Sequence, residues 1–418
     1  MIVILILILI AAIGTPLFAV IGAGGLAASH AADLHPSVLI IEIYRLASQP
    51  NLIAIPLFTF AGITLAAGGG TKRLITLFNA LLGWMPGGLA IVTIVSCSAF
   101  TAFTGASGVT IIALGALLYP MLENANYRQR FCLGLLTSSG SLGLLFPPSM
   151  AILLYGIVSG VSIDELFLSG MLPGLLLLVM LSLFSISSAP KLQIEHQEFS
   201  WKKIYSAVMK SRWDVMLPVF IFTGIFGGFV TITEVAALTA AYVLFVEIVI
   251  TKDIKPTKDL PRILIDTTTL VGSILIILGM AMGLTNLLID SQLPMKLLAI
   301  VEQYVDSQIQ FLLLLNLFLL VVGAMMDIFS AIVVVVPLII PLAMRYNIEP
   351  VHLGIIFLAN LEIGYMTPPV GINLFIASQR FKQPILKLFQ ATLPFLLIML
   401  TWLILVTYIP FLTTWWQN

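Results

Sequence analysis

Two prolines stand side by side inside an uncharged apolar run, LLFPPSMAILLYG at 144–156, and a second pair stands in YMTPPVGINLFIAS at 365–378. Proline has no backbone N–H, and its ring clashes with the preceding turn, so an interior proline costs an α-helix about 3 kcal/mol. In hydrocarbon the carbonyls it frees have no water to bind. A chain carrying Pro147–Pro148 and Pro368–Pro369 in such surroundings cannot run as straight helix through either place. It must break there, and the bare backbone must face protein, a cavity or a ligand.

The surroundings are those of a membrane protein. Hydrophobic residues make up 60% of the 418, charged residues only 9%, and the net charge is zero; a soluble chain is about 25% charged. This excludes a soluble globular fold and offers no basic surface for nucleic acid. Cys97 and Cys132 lack the spacing of a metal or redox pair, and His30, His35, His196 and His352 are scattered. With no Ser-His-Asp or metal-ligand constellation, an enzyme is not expected. The opening MIVILILILIAAIGTPLFAV lacks the basic start of a signal peptide and reads as a retained membrane helix.

The two proline pairs belong to a longer correspondence. Pro147 and Pro368 are 221 residues apart, and the same offset pairs Pro120 with Pro341, Gly143 with Gly364 and Pro173 with Pro394. It also pairs Gly62 with Gly283 and Thr64 with Thr285. A colinear set of helix breakers implies duplication: a first repeat at 1–189, a linker at 190–214 and a second repeat at 215–418. The linker is the longest polar stretch, and Lys191, Lys202, Lys203, Lys210 and Arg212 mark it as cytoplasmic.

Apolar stretches able to span a bilayer cover 3–28, 51–68, 131–159, 171–189, 215–230, 233–250, 263–289, 352–379 and 391–412. Two more, 88–121 and 309–344, are too long for one upright helix and too short for two spans. Each has a knot of small or polar residues near its middle, AFTGASG at 102–108 and GAMMDIFS at 323–330. They read as re-entrant hairpins with tips at the midplane. With 88–121 as a hairpin, Lys72, Arg73, Arg128, Arg130, Lys252, Lys255, Lys258, Arg262, Arg380, Lys382 and Lys387 all fall on the linker's side, while Arg345 falls opposite. The repeats then point in opposite directions. Segments 71–85 and 292–306 are amphipathic and read as surface arms. The expected fold is all-α and polytopic, with two inverted repeats, each holding a hairpin and a discontinuous helix (131–159 and 352–379).

Inverted repeats with helices broken near the midplane are a pattern of secondary transporters. The first break offers Thr137, Ser138, Ser139, Gly140 and Ser141 before its prolines, and the second offers Asn360, Glu362, Gly364, Thr367 and Asn373. Hydroxyl and carbonyl oxygens are hard ligands suited to Na⁺. At the tips stand Thr104, Gly105 and Ser107, and Asp327. An aspartate deep in an apolar stretch costs about 2.5–3.5 kcal/mol to insert, so Asp327 has either a coupling role or a helix-capping role at its tip. Glu362 is a weaker candidate that bonds the unwound backbone, and Glu234 another that lies nearer an interface. No arginine is near the tips, so a substrate carboxylate meets half-helix dipoles, hydroxyls and ions. This favours an organic anion carried with Na⁺.

Several blocks carry a resemblance: AIPLFTFAGITLAAGG (54–69), GWMPGGLAIVTIV (83–95), FTGASGVTIIALG (103–115), SSGSLGLLFPPSMAILLYG (138–156), ITEVAALTAAYVL (232–244) and GYMTPPVGINLF (364–375). In this order, and over nearly the whole chain, they resemble the large membrane subunit (M, DctM-like) of TRAP transporters. The resemblance implies Na⁺-driven uptake of an organic acid, of C4-dicarboxylate or sialic-acid type, across the bacterial inner membrane. It also implies a periplasmic binding protein, a small four-helix membrane subunit and an elevator motion of hairpins and broken helices against a scaffold. On this chain one Na⁺ site falls on Thr104, Gly105, Ser107, Ser138, Gly140 and Ser141, and another on Asp327, Gly364 and Thr367. Substrate falls on Ser107, Ser139, Pro147, Asp327, Thr367 and Asn373. Some relatives carry the small subunit fused; here a separate one is expected, seated on an apolar face at 3–28 or 215–250 in contact with lipid. The alternatives are a stand-alone Na⁺- or H⁺-coupled organic-anion transporter of the same architecture, or a channel, for which a continuous polar path is missing.

If the prolines hold the first break open, Pro147→Ala with Pro148→Ala re-forms helix there and weakens cation binding. Unchanged Na⁺ affinity in that double variant, measured by calorimetry, contradicts this.

Overall fold

A computed structural model describes residues 6–7, 9–10, 15–31, 35–189 and 199–417. The start of the 3–28 stretch and linker residues 190–198 lie outside the described residues. The chain is 81% helix, with no strand among the described residues. In the first half come α1 Leu17–Ala31, α2 Ser37–Ala47, α3 Ala54–Ala67, α4 Gly70–Leu82, α5 Gly88–Thr104, α6 Ser107–Asn124, α7 Gln129–Ser139, α8 Met150–Ser159 and α9 Ile163–Ser187. There follow α10 Trp201–Lys210, α11 Arg212–Phe226, α12 Ile232–Phe245, α13 Leu260–Asp290 and α14 Leu293–Val301. The chain closes with α15 Gln308–Met325, α16 Ile328–Arg345, α17 Pro350–Gly364, α18 Ile372–Phe381, α19 Ile385–Tyr408 and α20 Phe411–Thr414. Among the described residues eight helices are long and apolar enough to cross a membrane, or nine if the pair Gln129–Leu145 and Met150–Ser159, bent by 45°, counts as one span.

The bounds of several elements recur at the offset of the proline pairs. Ser107–Asn124 and Ile328–Arg345 start and stop 221 residues apart, as do the first residues of α7 and α17. Each 34–36-residue apolar stretch divides at its polar knot into two helices of 17 or 18 residues, about 26–27 Å each at 1.5 Å per residue. Hydropathy starts α9 and α19 too late, at 171 and 391. The true starts are polar ends: Ser162 precedes α9, with Asp164 and Glu165 in a first turn where negative charge suits the helix dipole. Helix α10 lies inside the segment that composition reads as linker. Trp201, Ile204, Tyr205, Val208 and Met209 recur at helical spacing there, and Ser200 caps the helix by accepting from the Lys203 amide.

The halves interlock by exchange. Helix α6 of the first hairpin packs against α18, which follows the second break, and α16 of the second hairpin packs against α8, which follows the first. Tyr155 in α8 crosses between the halves, donating to the Pro350 carbonyl at 2.8 Å, and Trp402 donates to the Pro173 carbonyl at 2.9 Å. In lipid no hydrophobic drive favours helix association, so shape and interhelical polar contacts must hold it, at about 0.6 kcal/mol per hydrogen bond. Asn316, Asn360 and Thr407 form such a chain across α15, α17 and α19: Asn360 Nδ2 donates to Asn316 Oδ1 at 2.7 Å, and Asn316 Nδ2 to Thr407 Oγ1 at 3.1 Å.

Arg73 fixes arm helix α4 to α11 and to the segment that follows α12. Its guanidinium meets Asp214 at 2.7 Å, Glu247 at 2.5 Å and Asp253 at 2.5 Å, and Ser211 Oγ donates to the Arg73 carbonyl. Gly68 and Gly69 make room: a Cβ on either would collide with the Glu247 or Asp253 carboxylate. Removing the one cation from a buried ion cluster leaves uncompensated charge, which costs about 3–5 kcal/mol. Arg73→Gln is therefore expected to lower the thermal unfolding midpoint in detergent strongly, and Arg73→Lys partially, since one ammonium cannot reach all three carboxylates. An unchanged midpoint in Arg73→Gln refutes the anchor.

Candidate functional site

The two hairpin tips meet at one cavity of about 490 Å³. Gly105 and Ser107 line it from the first tip, Asp327 and Phe329 from the second, Tyr365 from the second break, and Leu270 and Ser273 from α13. Among the predicted site residues, Gly105, Ser107 and Asp327 form its wall. Ser139 and Pro147 are buried behind the first tip, and Thr367 returns its hydroxyl to the Ile363 carbonyl at 3.0 Å.

The tips are built differently at corresponding places. At the first, α5 ends on Gly105 in the left-handed region (φ 63°), where a side chain would be strained. The next helix starts from Ala106, whose side chain caps nothing. Residue 327, at the matching position of the second tip, is an aspartate. Asp327 Oδ2 accepts from the amides of Phe329 at 3.1 Å and Ser330 at 3.0 Å, and its other oxygen accepts from Ser330 Oγ. The capping role is thus present, and it consumes the amides that α6 leaves open. Tyr365 completes this tip by accepting from the Ile328 amide at 2.7 Å.

Each break is clamped to its own hairpin by a glycine. A Cβ on Gly143 would collide with the Ser98 carbonyl and the Ala102 amide of α5, and a Cβ on Gly364 with Gly323 of α15. Positions 102 and 323 correspond under the same offset, as do 143 and 364. The second break also docks on its hairpin through Val370 and Gly371 amides donating to the Ala324 carbonyl. Both proline–proline peptide bonds are cis.

Behind the tips lie oxygens without partners. Among the described residues, Ser139 Oγ, Ser141 Oγ, Asn360 Oδ1 and both oxygens of Glu362 are buried and accept or donate no hydrogen bond. The expected bond from Glu362 to unwound backbone is therefore not formed: Glu362 lies inside the last turn of α17, one turn before the break, where neighbouring carbonyls are used by the helix. Ser139 corresponds to Asn360 and Ser141 to Glu362 at 221 residues. An unsatisfied buried polar atom costs about 1–3 kcal/mol; Glu42, Thr71, Ser96, Ser185 and Thr239 carry such atoms too, but away from the breaks and without a counterpart at that offset. Ser138, by contrast, is satisfied by the Gly134 carbonyl at 2.8 Å. The Gly140 carbonyl already accepts from Thr101, whose hydroxyl also contacts Thr110 at 2.6 Å. Glu234 is a capping-box residue at the exposed start of α12.

Asn373 joins the halves at the site. Its Oδ1 accepts from Ser107 Oγ at 2.7 Å, and its Nδ2 donates to the Thr137 carbonyl at 3.4 Å. One side chain of the second break thereby holds the first tip and the first broken helix together.

The family described as tripartite ATP-independent periplasmic transporter, DctM component, matches residues 1–412. The chain is 34% identical over 389 residues to the C4-dicarboxylate TRAP transporter large permease protein DctM of Vibrio cholerae, covering 88% of this chain and 86% of that one. It is 32% identical over 401 residues to the isethionate TRAP transporter permease protein DctMQ of Oleidesulfovibrio alaskensis, covering 95% of this chain and 63% of that one. The solved Alcanivorax borkumensis YdaH transporter has a similar fold, with a TM-score of 0.62 at 15% identity over 89% of this chain and 86% of that one.

Asn373→Leu leaves Ser107 Oγ and the Thr137 carbonyl unpaired at the joint of the halves. It is expected to reduce transport by about tenfold, the equivalent of ~1.4 kcal/mol, with normal membrane insertion. Wild-type rates in proteoliposomes would mean the joint is dispensable.

Proposed function

Since the chain belongs to the DctM-component family of TRAP transporters and is the large permease subunit of such a transporter in the bacterial inner membrane, we propose that it imports an organic anion coupled to Na⁺. The observation that carries the coupling is the charge of the cavity. Among the described residues its one charged wall residue is Asp327, and no lysine or arginine lines it. A substrate carboxylate about 7 Å from Asp327 is repelled by ~2 kcal/mol at an effective dielectric constant near 20. Cations entering with the substrate offset that repulsion.

The chain offers matching places for both charges. The uncapped start of α6 leaves its first amides without a side-chain cap beside the cavity, a setting favourable to an anionic group, while the Ser107 hydroxyl is held by Asn373. The orphan oxygens of Ser139 and Ser141 fit a hard monovalent cation beside the first tip, and those of Asn360 and Glu362 fit one beside the second. Backbone oxygens at Gly105 and Gly364 complete the proposed sets. Thr104, Thr367 and Pro147 act through the backbone shape of tip and break.

The same geometry supports an elevator motion. Tips, breaks and the helices exchanged between halves form one interlocked body, whereas α13 borders the cavity from the other side. The inverted arrangement of the repeats belongs to this reading. Relatives named for C4-dicarboxylate transport make a short dicarboxylate the favoured substrate. The isethionate relative's combined DctMQ name supports a small membrane subunit as partner, and the family's description supports a periplasmic binding protein.

The test is uptake by proteoliposomes holding this chain with its small subunit, with binding protein and a C4-dicarboxylate added outside. Uptake is expected only with an inward Na⁺ gradient and only with binding protein. Uptake without binding protein favours the stand-alone carrier, and uptake unaffected by Na⁺ removes the coupling scheme. Asp327→Asn is expected to keep the cap geometry yet loosen Na⁺ dependence; an unchanged Na⁺ requirement excludes its charge from coupling.

A further inference from the structure

A groove of about 530 Å³ lies between arm helix α4 and helix α10 and shares no lining residue with the cavity at the tips. Lys202, Lys203, Lys210 and Ser206 line one wall, and Asn79 and Trp84 the other. Among the described residues no carboxylate approaches any of the three ammonium groups within ion-pair distance. The nearby anionic cluster of Asp214, Glu247 and Asp253 is taken by Arg73. Among the described residues the groove therefore presents three positive charges, the Asn79 amide and the hydroxyl-bearing side chains of Thr76, Ser200 and Ser206 to whatever enters it.

Its rim is aromatic and apolar. Trp84 packs edge-on against Phe199 at 5.4 Å, and Phe199 against Trp201 at 5.1 Å. On α10, Trp201, Tyr205, Val208 and Met209 are exposed on one stripe, while Ile204 and Ala207 are buried. A basic polar face, an apolar stripe and interfacial tryptophans are the features of a helix lying in the headgroup region. The lysines also stand on the side that the charge bias assigns to the cytoplasm, where basic pockets meet anionic headgroups.

We propose that this groove is a binding site for the headgroup of an anionic phospholipid, such as phosphatidylglycerol. The three lysines and Ser206 hold the phosphate and glycerol, and the acyl chains run along the exposed stripe of α10. The exposed apolar stripe beside the charges favours a lipid over a free phosphate ion, which has nothing to place there. Bound this way, the lipid ties α10 to the arm that Arg73 anchors at its other end. The site rests on the membrane location of the chain and on no assumption about Na⁺ or substrate.

The test uses the chain purified with its small subunit in detergent, reading the thermal unfolding midpoint with added phosphatidylglycerol, phosphatidylcholine or inorganic phosphate. Phosphatidylglycerol is expected to raise the midpoint, with no shift from the other two. The triple variant Lys202→Gln, Lys203→Gln, Lys210→Gln is expected to lose that shift while keeping its small subunit. Three results would overturn the proposal: an equal shift from phosphatidylcholine, an equal shift from phosphate alone, or a shift retained in the triple variant. Loss of the small subunit from the variant would instead assign the groove to a protein contact and also overturn it. Should the variant fail to fold, the wild type decides: a phosphatidylglycerol shift must shrink in high salt, and one that persists contradicts a charge-held headgroup.

Discussion

Main-chain N–H and C=O groups inside a bilayer must find partners within the protein, and everything distinctive about this chain follows from two places that strain that requirement. At Pro147–Pro148 and Pro368–Pro369 the helix cannot continue. The fold answers by laying a hairpin against each break, with Gly143 and Gly364 permitting contact so close that no side chain fits between. Val370 and Gly371 satisfy the Ala324 carbonyl as part of the same arrangement. Beside the breaks this local repair leaves over the oxygens of Ser139, Ser141, Asn360 and Glu362, at matched positions of the two halves, while Glu42, Thr71, Ser96, Ser185 and Thr239 hold unpartnered oxygens elsewhere without such a match.

The halves match in construction and differ in charge. Ala106 and Asp327 occupy corresponding caps, so one tip exposes a helix start while the other closes it with its own carboxylate. The cavity between them thus has an end suited to an anion and an end already negative. Under the proposed coupling, that asymmetry makes the charge balance a property of the two tips, since among the described residues no lysine or arginine lines the cavity.

Much of this was legible in the residue pattern, because the doubled prolines mark the breaks, whereas the single prolines at 120, 173, 341 and 394, read as breakers from sequence, are carried inside continuous helices. The proline pairs, the polar knots at 102–108 and 323–330 and the offset of 221 place the breaks and tips on their own. Contacts between the halves were not legible. Asn373 was placed with the second break, and nothing in its neighbourhood says that it reaches Ser107, 266 residues away. An internal offset pairs equivalent residues, whereas folding brings together inequivalent ones. Thr101 and Thr110 carry no signal in the sequence, because single hydroxyls in apolar helices usually satisfy their own backbone. Helix α10 was hidden by its charge, since polar composition suggests linker until the spacing of Trp201, Ile204, Tyr205 and Met209 is set on a helix. The Arg73 cluster gathers residues from three elements that no motif connects.

The central claim is that oxygens orphaned beside the two breaks exist to hold cations. Equilibrium binding of radioactive sodium to the purified large and small subunits, without substrate or binding protein, measures this directly. The account predicts saturable binding that loses one class of site in Ser139→Ala with Ser141→Ala and another in Asn360→Leu. Binding that never saturates, or that both variants retain in full, contradicts it.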